Sequence, residues 1–233
     1  MERKRKLGEF KEEHILKMAQ EQYTRGQANI KIDPKKTALI VVDLIEEFTR
    51  PNWTPYWIPE ATRILLKVKK LIETCREVGV TVIYTCYAFH PKGLVLCPGM
   101  KWVPIGKGAA DFPELFQREN IDPMIKPEYG KDVIIPKCFY GAFTATELDY
   151  VLKNIGADTV IICGTMTNYC CGATAREAFS HGYKVVFGSD VNATDDPELH
   201  EAELKTLRRG YALILTADEI IEALQGRGPY AAK

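Results

Sequence analysis

Thr159 to Ala178, TVIICGTMTNYCCGATAREA, is the stretch from which the fold can be read. It opens with an apolar, β-branched run, Thr159 to Cys163, closed by Gly164, which is the pattern of a buried strand. Gly164 to Asn168 reads as a turn. Tyr169 to Ser180, small, alanine-bearing and free of proline, reads as a helix. The pair Cys170-Cys171 then falls in the first turn of a helix that follows a strand. Unpaired N–H groups and the helix dipole lower a thiol pKa at such a place, which predicts a reactive, thiolate-like cysteine.

Outward from this stretch the same alternation repeats. Thr37 to Val42 is a near-continuous apolar run ending in Asp43, as expected of a central parallel strand covered on both faces. Thr81 to Thr85, Asp132 to Pro136, Lys184 to Phe187 and Tyr211 to Leu215 read as further strands. Helices are expected over Ala61–Val78, Thr144–Asn154, Pro197–Arg209 and Ala217–Leu224. Thr144, with Glu147 three residues on, has the spacing of a capping box. Strands alternating with helices imply an α/β fold in three α/β/α layers around a six-stranded, mainly parallel Rossmann-like sheet.

The ends of the chain suggest two parts. Residues 1–30 read as an N-terminal helical arm, with Phe10, Ile15, Leu16 and Met18 near one face of a helix over Gly8–Arg25. Residues 31–233 read as one domain. The arm suits a homo-oligomer, dimer or tetramer.

Bulk properties exclude several function classes. The 233 residues carry a formal net charge of zero, so no global field draws the chain to nucleic acid or to an anionic membrane. No apolar run approaches a membrane span, and the charged start MERKRKLGEFKEEH lacks the core of a secretion signal. Seven scattered cysteines fit a reducing, cytoplasmic setting better than a disulfide framework. No Cys-x-x-Cys pair occurs, and His14, His90, His181 and His200 are isolated, so no zinc site is expected.

Two loops stand out as pocket walls. Glu47 to Pro59 holds Phe48, Trp53, Tyr56 and Trp57 directly after the first strand. The long connection from Cys86 to Lys131 carries His90, Trp102 and several prolines, with a short helix expected near Phe112–Arg118. Lys92, Lys101 and Lys107 in that connection are candidates to meet a substrate carboxylate, or solvated surface charges.

Asp43, Lys137 and Cys170 each lie at or just beyond a strand end, so a doubly wound sheet brings them to one edge. The thiol needs a base, which Asp43 can be. A lysine charge stabilises thiolate and carboxylate alike. Backbone N–H groups between Thr165 and Cys170 are placed to hold an oxyanion.

These residues carry a resemblance. The stretches ALIVVDLIEEF around Asp43, VIIPKCFYGAFTATELDYVL around Lys137 and VIICGTMTNYCCGATAREAFSHGYKVVFGSD around Cys170 are similar to the isochorismatase-like cysteine hydrolase superfamily. That superfamily includes N-carbamoylsarcosine amidase, nicotinamidase and ureido- or biuret-cleaving amidohydrolases. The resemblance runs from about Thr37 to Leu224. It implies a catalytic Asp43-Lys137-Cys170 set, a cis peptide between Thr165 and Met166, and an oxyanion hole from the N–H groups of Met166 and Cys170. The Lys137 motif looks most like the carbamoylsarcosine-amidase branch. Phe48, Trp53, Trp57, Tyr140 and Thr165 are the expected substrate-binding residues.

Metal-dependent nicotinamidases carry an Asp-x-His arrangement after the second strand, where this chain reads Cys86-Tyr-Ala-Phe-His90 without the acid. Isochorismatases proper lack the cysteine. The resemblance therefore implies hydrolysis of a linear C–N bond in a small amide, ureido or N-carbamoyl substrate, with neither cofactor nor metal. By motif register Cys170 is the nucleophile, and Cys171 a packed thiol or a resolving partner under oxidation. Four other readings compete: vinyl-ether hydrolysis, a metal-free nicotinamidase-like amidase, a binding protein without chemistry, and a phosphatase. The last rests on the Cys170-to-Arg176 spacing, which matches the tyrosine-phosphatase loop in spacing only, because the cysteine does not directly follow the strand.

Overall fold

In the computed structural model, which describes residues 8, 10–88, 103, 104, 115, 116 and 120–232, the sheet is built outward from β1 (Thr37–Val42). Every residue of β1 is buried. Leu39 and Val41 face one apolar layer while Ala38, Ile40 and Val42 face the other, which is why the run is apolar without alternation. β2 (Thr81–Tyr87) and β3 (Val133–Lys137) add on one side. β4 (Thr159–Thr165), β5 (Lys184–Ala193) and β6 (Ala212–Leu215) add on the other. All five pairings are parallel, in the order β3-β2-β1-β4-β5-β6. The six-stranded parallel α/β architecture expected from sequence is the observed one.

Of the helices, α1 (Glu12–Arg25) precedes the sheet and α2 (Glu46–Thr49) follows β1 as a single turn. α3 (Pro59–Glu77) and α7 (Ala217–Leu224) contribute to one apolar layer. α4 (Leu148–Asn154), α5 (Gly172–Ser180) and α6 (Pro197–Gly210) contribute to the other. No helix among the described residues is long and apolar enough to cross a membrane.

Two expectations need correction. α4 starts at Leu148 with Glu147 at its cap position and no side-chain capping bond. Thr144 and the Phe143 N–H instead bind the Glu177 carboxylate of α5, because residues 139–147 form a bent loop laid against that helix. β5 runs on to Ala193, well past Phe187, because Asn192 and Ala193 pair with Gly164 and Thr165 across an irregularity in the β4–β5 ladder. The polar composition of Ser189 to Asn192 hides this from a hydrophobicity pattern. The apolar stripe of α1 is not buried against the domain: Phe10, Ile15, Leu16 and Met18 are exposed, while Gln22 and Tyr23 hold Arg209 of α6. The expected short helix over Phe112–Arg118 lies outside the described residues, apart from Leu115 and Phe116.

Gly164 shows how tightly β1 and β4 approach. Its φ is +134°, and a Cβ there would stand 2.0 Å from the Val42 carbonyl oxygen. Neither the backbone conformation nor the space admits a side chain. Gly164→Ala is expected to cost about 3 kcal/mol or more, measured by urea unfolding, since strain and a backbone clash add.

Candidate active site

The order of the sheet creates its own site. From β1 the chain moves to β2 and β3 on one side, then crosses to β4 on the other, so β1 and β4 flank the point where strand order reverses. Ligands of open parallel sheets bind at the carboxyl ends of strands at such a point. Asp43 follows β1 there, and the turn carrying Cys170 follows β4.

Asp43 has a φ of 49°, a left-handed backbone that aspartate tolerates better than most residues. Thr85 of β2 fixes its side chain. The Thr85 hydroxyl donates to Asp43 Oδ1 at 2.8 Å, and the Asp43 N–H approaches the Thr85 carbonyl at 3.2 Å. Lys137 Nζ lies 2.7 Å from Asp43 Oδ2, with both side chains fully buried. The ammonium also donates to the Phe139 carbonyl at 2.9 Å and stands over the Tyr87 ring at 5.4 Å. The Cys170 thiol completes the group, close enough to the Asp43 carboxylate and the Lys137 ammonium for both charges to act on it. Three groups far apart in sequence thus meet at one sheet edge.

The turn after β4 is a π-turn, Thr167–Cys171, and α5 begins only at Gly172. The peptide between Thr165 and Met166 is cis, as the resemblance implied. The Met166 carbonyl accepts from the N–H groups of both Tyr169 and Cys171 at 3.1 Å. Cys170 therefore lies within the π-turn, ahead of the first residue of α5. Cys171 is wholly buried in the layer beneath α5, a packed thiol in this structure.

The electrostatics differ from the expectation of a pre-acidified thiol. Burial pushes the Cys170 thiol up to about 12; the Lys137 charge pulls against this, and the Asp43 carboxylate adds to the rise. Desolvation outweighs the helix terminus here because the sulfur is enclosed. Burial likewise opposes the Lys137 ammonium, but Asp43 and Cys170 more than offset it and hold the lysine above its ordinary range. At rest the lysine is an ammonium and the thiol is neutral.

The expected substrate-binding residues separate. Tyr140 is half-buried, its ring 5.3 Å from that of Tyr169 in the π-turn. Phe48 packs on Phe116 at 5.6 Å, and Tyr56 and Tyr87 surround the same ring. Phe116, at φ 58°, thus centres the aromatic cluster, and nothing in the sequence pattern singled it out. Glu47 holds that segment by accepting from the Phe116 N–H at 2.7 Å and from Asn120 at 2.8 Å. Trp53 is exposed beneath Arg50, and Trp57 donates to Thr62 of α3. Thr165 is fully buried, and its hydroxyl donates to the Ala193 carbonyl of β5 at 3.2 Å. His90, Lys92, Lys101, Trp102 and Lys107 lie outside the described residues.

Arg176 answers the phosphatase reading. Its guanidinium is taken by Glu203 of α6 in a two-pronged pair and lies over the Tyr211 ring, so it does not cradle an anion beside Cys170.

A parallel sheet presenting a buried acid, lysine and cysteine at its switch point defines a cysteine hydrolase. Residues 37–219 match the model of the isochorismatase domain, and the chain belongs to the isochorismatase family. It is 34% identical over 207 residues to Nicotinamidase 3 of Arabidopsis thaliana, covering 87% of this chain and 97% of that protein. Among solved structures it is similar to a cysteine hydrolase from Pseudomonas syringae pv. phaseolicola, with a TM-score of 0.77 and 27% identity over 87% of this chain and 98% of that one. It is also similar to N-carbamoylsarcosine amidase of Thermoplasma acidophilum, with a TM-score of 0.65 and 27% identity over 79% and 98%.

The raised thiol has a consequence for stability. A folded-state pKa of about 12 against an ordinary 9.0 favours the folded protein fully below pH 9, and this contribution is lost as pH rises towards 12. Urea unfolding of the wild type and of Cys170→Ser should therefore show a stability difference that moves against the wild type across that window.

Proposed function

We propose that the chain is a cysteine-dependent amidohydrolase that cleaves a linear C–N bond in a small amide, ureido or N-carbamoyl compound. The observation that carries this reading is the fully buried Asp43–Lys137 pair, with the Cys170 thiol near enough to feel both charges. A buried site cannot cheaply change its net charge. Passing a proton from Cys170 to Asp43 leaves that charge unchanged, because the negative charge moves from carboxylate to sulfur beside the same ammonium.

In this scheme the sulfur attacks the carbonyl carbon as its proton passes to Asp43. The oxyanion is held by the N–H groups of Met166 and Cys170. Asp43 hands the proton to the leaving nitrogen, and ammonia or an amine departs, leaving a thioester or thiocarbamate on Cys170. Water then attacks, giving one proton to Asp43, and the acyl–sulfur bond breaks with the proton returned to sulfur. Lys137 stays charged throughout and stabilises each anionic state.

A nicotinamide-type aromatic amide is the second reading, favoured by the 34% identity to Nicotinamidase 3. The Tyr140–Tyr169 pair beside the nucleophile's turn offers an aromatic ring a surface to stack on. The residues after the second strand do not repeat a metal-binding Asp-x-His: Cys86 is buried within β2, and Tyr87 and Ala88 supply no carboxylate.

Ammonia release across ureides, N-carbamoyl acids, primary aliphatic amides and nicotinamide separates the two. Cys170→Ala and Asp43→Asn are each expected to lower turnover of the best substrate by at least about a thousandfold, and the double variant little further, because the groups act as a unit. Cys171→Ala should keep most of the activity. Turnover by Cys170→Ala would contradict the reading.

A further inference from the structure

The π-turn that follows Met166 and carries Cys170 is held by groups from a different part of the chain. Thr165 donates to the Ala193 carbonyl, and Asn168 Oδ1 accepts from the Thr194 hydroxyl at 2.7 Å. Between them, the Thr167 hydroxyl meets His200 Nδ1 at 2.9 Å, and His200 Nε2 lies 3.1 Å from the Ser189 carbonyl. His200 stands in the first turn of α6 and Ser189 in β5. The ring therefore ties the turn to both elements.

The direction of these bonds follows from the groups themselves. A carbonyl only accepts, so Nε2 carries the hydrogen. In the neutral ring Nδ1 is then an acceptor, and the Thr167 hydroxyl must donate to it. Thr167 is fully buried and directly follows Met166. Losing its acceptor would leave a buried hydroxyl unsatisfied at the hinge of the turn, beside one of the two N–H groups assigned to the oxyanion.

We propose that His200, through Thr167, is a positioning residue for the oxyanion-binding turn, which rests on the cysteine-hydrolase reading above. Its effect falls on the Met166 N–H, which Thr167 adjoins, and not on deprotonation of Cys170, because Asp43 and Lys137 beside the thiol are set by β1, β2 and β3, away from α6. The deficit should therefore appear in acyl transfer, which forms an oxyanion, and be absent from alkylation, which forms none.

Two probes read these separately: hydrolysis of 4-nitrophenyl acetate, and iodoacetamide labelling of Cys170 followed by peptide mass spectrometry. His200→Ala is expected to lower kcat for the ester by about 10- to 100-fold with KM within about twofold, a part of the loss seen when an oxyanion donor is removed outright. Labelling of Cys170 should stay within about twofold of wild type. His200→Asn keeps an acceptor for Thr167 and should recover most of kcat. Thr167→Val should reproduce the loss and Thr167→Ser should not, which keeps the test decisive if His200→Ala folds poorly. Undiminished kcat in both His200→Ala and Thr167→Val, with Cys170→Ala inactive, would overturn the inference alone. So would a labelling rate that falls in step with kcat, since the nucleophile itself would then be displaced. Wild-type ester hydrolysis by Cys170→Ala would overturn the underlying reading and the inference with it.

Discussion

The buried ion pair between Asp43 and Lys137 is the constraint on which the rest of the site depends. Two charges 2.7 Å apart, both without solvent contact, are stable only together. Removing one partner from such a pair costs about 3–5 kcal/mol, because the other is left charged and dry. The surroundings satisfy what remains of each group. Thr85 takes one carboxylate oxygen, the Phe139 carbonyl takes an ammonium hydrogen, and the Tyr87 ring lies below the cation. The thiol joins this pair as a neutral third member whose proton can move without altering the total charge. In the proposed scheme, reactivity comes from a compensated proton shift and not from a thiol that is acidic at rest.

That pair in turn requires the sheet order. Asp43 and Lys137 lie at the ends of β1 and β3, with β2 between them, while Cys170 arrives from β4 on the opposite flank of β1. Crossing from one side of β1 to the other is what lets three loops enclose one point. Gly164 allows β4 to approach β1 closely just before the turn, and the long β5 supports the turn from its far side.

Much of this was legible in the sequence because each signal was local. The apolar runs at Thr37–Val42 and Thr159–Cys163 marked strands buried on both faces, and the residues just past them marked the site. What was hidden depended on three-dimensional contact. The extension of β5 through Ser189 to Ala193 is polar and owes its strand character to pairing with Gly164 and Thr165. Thr144 looked like a helix cap but serves Glu177 of a different helix. Thr85, Thr167 and His200 carry no motif that marks them apart from surface polar residues. Their roles rest on hydrogen bonds to residues 11 to 42 positions away. The thiol's raised pKa is hidden for the same reason: a helix start is visible in sequence, while burial of the sulfur is not.

The central claim is that Cys170 carries the acyl or carbamoyl group in a covalent intermediate. The direct measurement is an acid quench during turnover of the best substrate from the ammonia-release panel, followed by peptide mass spectrometry. The account requires a mass increase equal to the acyl fragment on the peptide's Cys170, absent from Cys170→Ala. An adduct on Cys171 or Cys138 instead, or substrate consumed in a single turnover with Cys170 unmodified at every time point, would contradict it.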